Sequence, residues 1–135
     1  MVTVVVVDDS LQIQRSLGRL LTSVVGVEVV GYAEDVPGAI ALINHTRPDV
    51  VVLDVDLRDA TRGLEVLHHV VREHPDIQVI TLTNFTWQAM REVFIKNGAR
   101  AYFDKSMEFT KARDWIAALQ ATRAAAEVST SGTLG

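Results

Sequence analysis

Four stretches of this sequence run from consecutive, largely apolar residues straight into side chains that can do chemistry. Val4 to Val7 lead into Asp8 and Asp9, Val50 to Leu53 into Asp54, Ile77 to Leu82 into Thr83, and Ala101 to Phe103 into Asp104 and Lys105. If these ends share one place, three carboxylates (Asp8, Asp9, Asp54), a hydroxyl and an amine converge. Carboxylates that close repel, and one is forced neutral unless a cation sits among them. All-oxygen donors with one or two protein carboxylates suit Mg²⁺, which keeps several waters and leaves room for phosphate oxygens. A carboxylate nucleophile can accept a phosphoryl group to give an aspartyl phosphate. Phosphoryl transfer passes through a loose transition state, so the protein mainly positions groups and balances charge on the equatorial oxygens. A metal, the Lys105 ammonium and the Thr83 hydroxyl meet that need. Asp54 follows four apolar residues, three of them β-branched, and is the candidate reacting group.

Convergence requires particular elements. Fully apolar β-branched runs read as strands buried on both faces, as in parallel sheets. Strand starts near 3, 27, 50, 77 and 101 alternate with helical patterns, a β-α beat that implies one parallel sheet covered by helices on both faces, a three-layer α/β sandwich. The residues just past each strand then lie along one sheet edge, where ligands collect in open α/β folds. Val27 to Ala33 contains Glu28 and Gly31 and is expected at the sheet's margin. Ser10 is expected to cap a helix with Ile13, Leu17, Leu20, Leu21 and Val24 inward, Asp35 a second, and Ser106 the last, whose stripe is Phe109, Ala112, Ile116 and Leu119. The third helix carries Leu64, Leu67, Val70 and Val71; the fourth starts near Thr86 with Met90, Val93 and Phe94 inward and Ile95 outward. The expected division is a domain over 1–126 and a flexible tail over 127–135, with no output module in the 135 residues.

Thirteen Lys and Arg against seventeen Asp and Glu give a formal charge of −4, the wrong sign for gripping a phosphate backbone, so direct nucleic-acid binding is not expected. No apolar run approaches the roughly 20 residues a membrane span needs, and no basic leader precedes the first strand. The absence of cysteine excludes disulfide and thiolate chemistry and fits a cytoplasmic setting.

These polar positions, in register with their strands, closely resemble the receiver domain of bacterial two-component response regulators: Val-Val-Val-Asp8-Asp9-Ser, Val-Val-Leu-Asp54, Leu-Thr83-Asn and Ala-Tyr102-Phe-Asp-Lys105. The resemblance covers residues 2 to 125. It implies strand order 2-1-3-4-5, a flavodoxin-like arrangement, and phosphorylation of Asp54 by a partner phosphohistidine on a sensor histidine kinase or a histidine phosphotransfer protein. Asp8 and Asp9 would hold Mg²⁺ beside Asp54, with the Asp56 backbone carbonyl as a further ligand. Lys105 and Thr83 would bind phosphoryl oxygens. Tyr102 would be the aromatic that changes rotamer as Thr83 moves, altering a surface made by the helix over 86–97, the strand over 101–103 and the helix over 107–126, for a downstream protein or a second copy. Two departures stand out: Ser106 follows the Lys where the family usually has Pro, and Asn84 follows the Thr where a small residue is common.

A rival from another class is a phosphohydrolase, because Asp54-Val55-Asp56 resembles the nucleophile motif of haloacid-dehalogenase-like enzymes. That family places its nucleophile on the first core strand and further metal acids after the Lys, an order this chain lacks. His68, His69 and His74 contain no i, i+4 pair and read as a solvated helix face. Trp87 and Trp115 read as packing or rim residues, and Arg58, Asp59 and Arg62 as solvated loop charges.

Overall fold

In a computed structural model the chain is described over residues 1–57 and 62–134, the last six by their backbone alone. Five strands, β1 (Val2–Val7), β2 (Val27–Ala33), β3 (Val50–Leu53), β4 (Gln78–Thr83) and β5 (Ala101–Asp104), alternate with five helices, α1 (Leu11–Thr22), α2 (Val36–Thr46), α3 (Gly63–Glu73), α4 (Gln88–Lys96) and α5 (Phe109–Leu134). All pairings are parallel and the order is β2-β1-β3-β4-β5, so the sheet matches the expected topology and β2 stands at an edge. The Arg58 and Asp59 loop charges lie outside the described residues.

Side-chain alternation along the strands divides the core in two. Val5, Val7, Val51, Leu53 and Val79 face α2, α3 and α4 and meet Ala39, Ile43, Val66, Leu67, Val70 and Phe94. Val4, Val6, Val50, Val52, Ile80 and Leu82 face the other way, onto Leu17 and Leu21 of α1 and Ala112 and Ile116 of α5. This is why β1 and β3 read as unbroken apolar runs: each alternate residue has a helix to bury against. β2 gains one residue relative to β1, since Val4 pairs with Val29 and Val5 with Gly31. At the bulge a Cβ on Gly31 would come within 2.9 Å of the Leu42 side chain.

Local signals behave as their chemistry suggests at two helix starts. The Ser10 hydroxyl accepts from the Ile13 amide and the Asp35 carboxylate from the Gly38 amide. Elsewhere tertiary packing shifts the outcome. α4 begins two residues after Thr86 with no side-chain cap, and Val93 is exposed, because on so short a helix Phe94 alone is driven fully into the core. Val71 is likewise exposed. Ile95 is exposed as expected, but lines a groove with Val71, Pro75 and Ile77 on the α3 side of α4. Ser106 does not cap α5, which starts at Phe109; its hydroxyl instead meets Asn84 Oδ1 at 3.3 Å. No described peptide bond is cis, the one before Ser106 included. The segment expected as a tail from 127 continues α5 to Leu134. Ala124-Ala125-Ala126-Glu127 are strong helix formers and no Pro interrupts them, so propensity favours the helix through Glu127; the Val128 to Leu134 sequence carries no such preference.

Candidate functional site

Each chemically competent residue is held first by the sheet. The Asp8 amide donates to Ala33 O of β2 at 2.9 Å, the Asp54 amide to Val7 O of β1 at 2.9 Å and the Lys105 amide to Thr83 O of β4 at 2.8 Å. The ladder thus extends one residue past the strands, and the site inherits its rigidity. A second device then aims the side chains. Asp8 accepts from the Ser10 amide, Asp54 from the Asp56 amide, Thr83 from the Phe85 amide and Asp104 from the Ser106 amide. Each is a side chain bonded to the backbone two residues on, the turn that Asp and Ser or Thr favour. Gln14 Nε2 adds a 2.7 Å bond to Asp8 O.

What lies behind Asp54 is as constrained. The Gly63 amide donates to Val55 O, and a Cβ on Gly63 would stand 2.4 Å from Asp54 O and 2.8 Å from Val55 O. Only glycine lets the start of α3 approach that backbone.

At the centre, Lys105 Nζ lies 2.6 Å from Asp8 Oδ2 and 2.9 Å from Asp54 Oδ2. Asp8 is 3% exposed, Asp54 6% and Thr83 0%. Burial pushes the Asp8 carboxyl above its ordinary value, and Asp54 adds to this, while the Lys105 and Ser10 hydrogen bonds oppose it. Burial disfavours the Lys105 charge, but the Asp54 carboxylate and the hydrogen bonds to both acids outweigh it and hold its pKa above the usual lysine value. Asp8, Asp9 and Asp54 each present an oxygen within 4.8 Å of the others, Asp9 being exposed. One ammonium faces three carboxylates, so the hard oxygen donors carry more negative charge than Lys105 balances. That donor set fits a hard divalent cation.

Tyr102 lies apart from this cluster but is linked to it. Its ring is buried and packs edge-on to Phe94 with centroids 6.0 Å apart, and the Arg91 guanidinium sits 5.2 Å over it. Its hydroxyl donates to Phe85 O, and burial first, then the Asp54 charge, push its pKa up to about 12, so it remains a donor. Phe85 therefore touches both ends, its amide on Thr83 and its carbonyl on Tyr102. Spacing alone gave no sign of this link or of Arg91. The two-residue turns, by contrast, leave a trace in sequence as Asp-x-Ser and Asp-x-Asp. Trp87 is exposed on the rim and Trp115 packs against the α1–α5 side of the core.

The profile of the response regulator receiver domain family matches residues 4–117. The chain is 36% identical over 108 residues to the DNA-binding transcriptional activator DevR/DosR of Mycobacterium tuberculosis, covering 80% of this chain and 49% of that protein. It is 31% identical over 105 residues to response regulator GacA of Pseudomonas aeruginosa, covering 78% and 49%. It spans about half the length of the curated relatives it matches. Among solved structures, a two-component response regulator of the LuxR family from Aurantimonas superposes with a TM-score of 0.82 at 26% identity, covering 90% of this chain and 86% of the other.

Proposed function

Because the chain belongs to the response regulator receiver domain family, a family of two-component signalling domains, we propose that Asp54 is its phosphoacceptor and Tyr102 its reporter. The observation that carries this is the shared grip of Lys105 on Asp8 and Asp54, both buried, at the carboxyl edge of the sheet.

A receiver takes its phosphoryl group from a histidine kinase or phosphotransfer protein. An Asp54 oxygen attacks phosphorus, a P–O bond forms as the P–N bond to the donor imidazole breaks, and the imidazole takes up a proton from water. Asp8, Asp9 and Asp54, with the Asp56 carbonyl, are the residues to hold Mg²⁺, which when bound neutralises charge on the phosphoryl oxygens. Lys105 already lies within bonding distance of Asp54 and can turn from carboxylate to phosphoryl oxygen. The Thr83 hydroxyl accepts from Phe85 and keeps its own proton to donate. As Thr83 is drawn toward the new dianion it vacates space beside Tyr102, into which the ring can turn, and Phe85 O is the acceptor that holds the ring inward. The inward ring and its release are the two positions, and a partner with different affinity for the surface around α4, β5 and α5 converts them into a signal.

The domain acts as a cytoplasmic phosphoacceptor switch that assists its own phosphorylation and dephosphorylation. Its output passes to a downstream protein or a second copy, and at a net charge of −4 these residues do not bind nucleic acid themselves. The receiver proper ends near 126. The phosphohydrolase alternative gains no support from the family match. The test is labelling with a small acyl phosphate. Wild type should take up one Mg²⁺-dependent, hydroxylamine-labile phosphoryl group per chain, and Asp54→Ala none. Undiminished labelling of that variant, or more than one phosphoryl group held per wild-type chain, would overturn the proposal.

A further inference from the structure

The four histidines of the sequence all fall on or beside two neighbouring helices: His45 in α2, His68 and His69 in α3, and His74 at its C-terminal cap. Spacing along α3 offers no metal pair. The tertiary structure creates one by another route. Asn44, near the end of α2, presents Oδ1 to His69 Nε2 at 2.8 Å and to His74 Nε2 at 2.7 Å, and the two rings stand edge to face with centroids 5.7 Å apart. In one imidazole tautomer Nε2 carries a proton and in the other a lone pair, directed the same way. Two Nε2 atoms aimed at one oxygen therefore aim their lone pairs at one point.

A zinc–imidazole bond is about 2.0–2.1 Å, so an ion taking the place that Oδ1 now holds needs each ring to close by about 0.7 Å and the Asn44 side chain to swing back by about 2 Å, to where its Oδ1 becomes the third ligand. Asn44 is exposed and both rings are partly exposed, which leaves the rotamers free to make that adjustment. We infer that His69, His74 and Asn44 form a site for a borderline divalent transition-metal ion such as Zn²⁺, with the two Nε2 atoms and the Asn44 amide oxygen as ligands and water completing the shell. Imidazole ligands favour Zn²⁺, Ni²⁺ and Cu²⁺, whereas Mg²⁺ prefers oxygen donors, so the site is chemically distinct from the acidic cluster of Asp8, Asp9 and Asp54. Because the ligands come from α2, α3 and the turn after α3, the ion would staple these segments together.

His68 is an internal control: its Nε2 meets Asn97 Oδ1 at 3.0 Å, toward α4, apart from the Asn44 pair. The experiment is a Zn²⁺ titration of the full chain in excess Mg²⁺, to keep the acidic cluster filled, read by calorimetry and by the imidazole ¹⁵N resonances. One ion per chain should shift the His69 and His74 Nε2 signals together while leaving those of His68 and His45. His69→Gln and His74→Gln should each weaken binding at least tenfold, His68→Gln should not, and Zn²⁺ should raise the melting temperature of wild type but not of the double variant. The wild-type resonances report even if a variant folds poorly. Movement of His45 or His68 instead, or equal Zn²⁺ affinity in the double variant, would overturn the inference.

Discussion

Replacing Lys105 by Met keeps the aliphatic stem and removes the charge, so its effect isolates the electrostatics of the site. Surface ion pairs contribute about 0–1 kcal/mol, but here the Lys105, Asp8 and Asp54 side chains are 9%, 4% and 7% exposed. At the 4.8 Å outer limit of the Asp8–Asp54 oxygen separation, two carboxylates repel by about 3 kcal/mol at an effective dielectric constant of about 20. In wild type the shared ammonium offsets that repulsion. Removing one partner of a buried pair typically costs about 3–5 kcal/mol, so the variant should lose about 3 kcal/mol of unfolding free energy at pH 7, measured by urea denaturation in a chelator. The sign of the pH dependence follows. Without Lys105 the Asp8 carboxyl, already raised by burial, rises further, and a carboxyl raised in the folded state destabilises as pH climbs above its unfolded value. The deficit should therefore shrink as pH falls from 7 toward about 4, and saturating Mg²⁺ should recover much of it at pH 7. A loss under about 0.5 kcal/mol that is flat with pH, below even the usual scale of a buried pair, would refute the claim that Lys105 offsets the charge of two buried acids.

Gly63→Ala forces the Asp54 and Val55 carbonyls to move, since its Cβ would stand 2.4 Å and 2.8 Å from them; the rate of acyl-phosphate labelling should fall at least tenfold while far-UV circular dichroism is retained. Tyr102→Phe removes the bond to Phe85 O but keeps the ring against Phe94, so it should cost about 1 kcal/mol of stability and leave labelling intact while reducing the phosphorylation-dependent change in partner affinity or self-association. Asp49 accepts from the Thr3 amide and hydroxyl and pairs with Arg123. Burial raises its pKa, but Thr3 and Arg123 outweigh this and lower it. Its contribution is thus present above the unfolded value of about 3.9 and lost as pH falls through the folded one. Asp49→Asn should be less stable than wild type by about 1–2 kcal/mol at neutral pH, the gap closing in acid denaturation series below about pH 4.

Much of this molecule is legible in its chain, because the signals concerned are local. β1 and β3 declare themselves as apolar β-branched runs since both faces of each strand are covered, and Asp8, Asp54 and Lys105 fall immediately past strand ends while Thr83 closes β4, so parallel topology alone brings them to one edge. Asp35 and Ser10 cap the helices they precede because that hydrogen bond needs only the neighbouring backbone. What the chain order could not decide depends on distant partners. Val93 and Val71 carry the right periodicity yet are exposed, because the neighbouring layers reach only part of each helix's apolar stripe. Ser106 turns to Asn84 across 22 residues and leaves α5 to start without it. Phe85 joins Thr83 to Tyr102 through backbone atoms that have no sequence signature, and Asn44 draws together two histidines whose spacing in α3 says nothing of it. Periodicity and capping report what a residue does to its own element; the direction of a side chain toward another element is fixed only when the layers close.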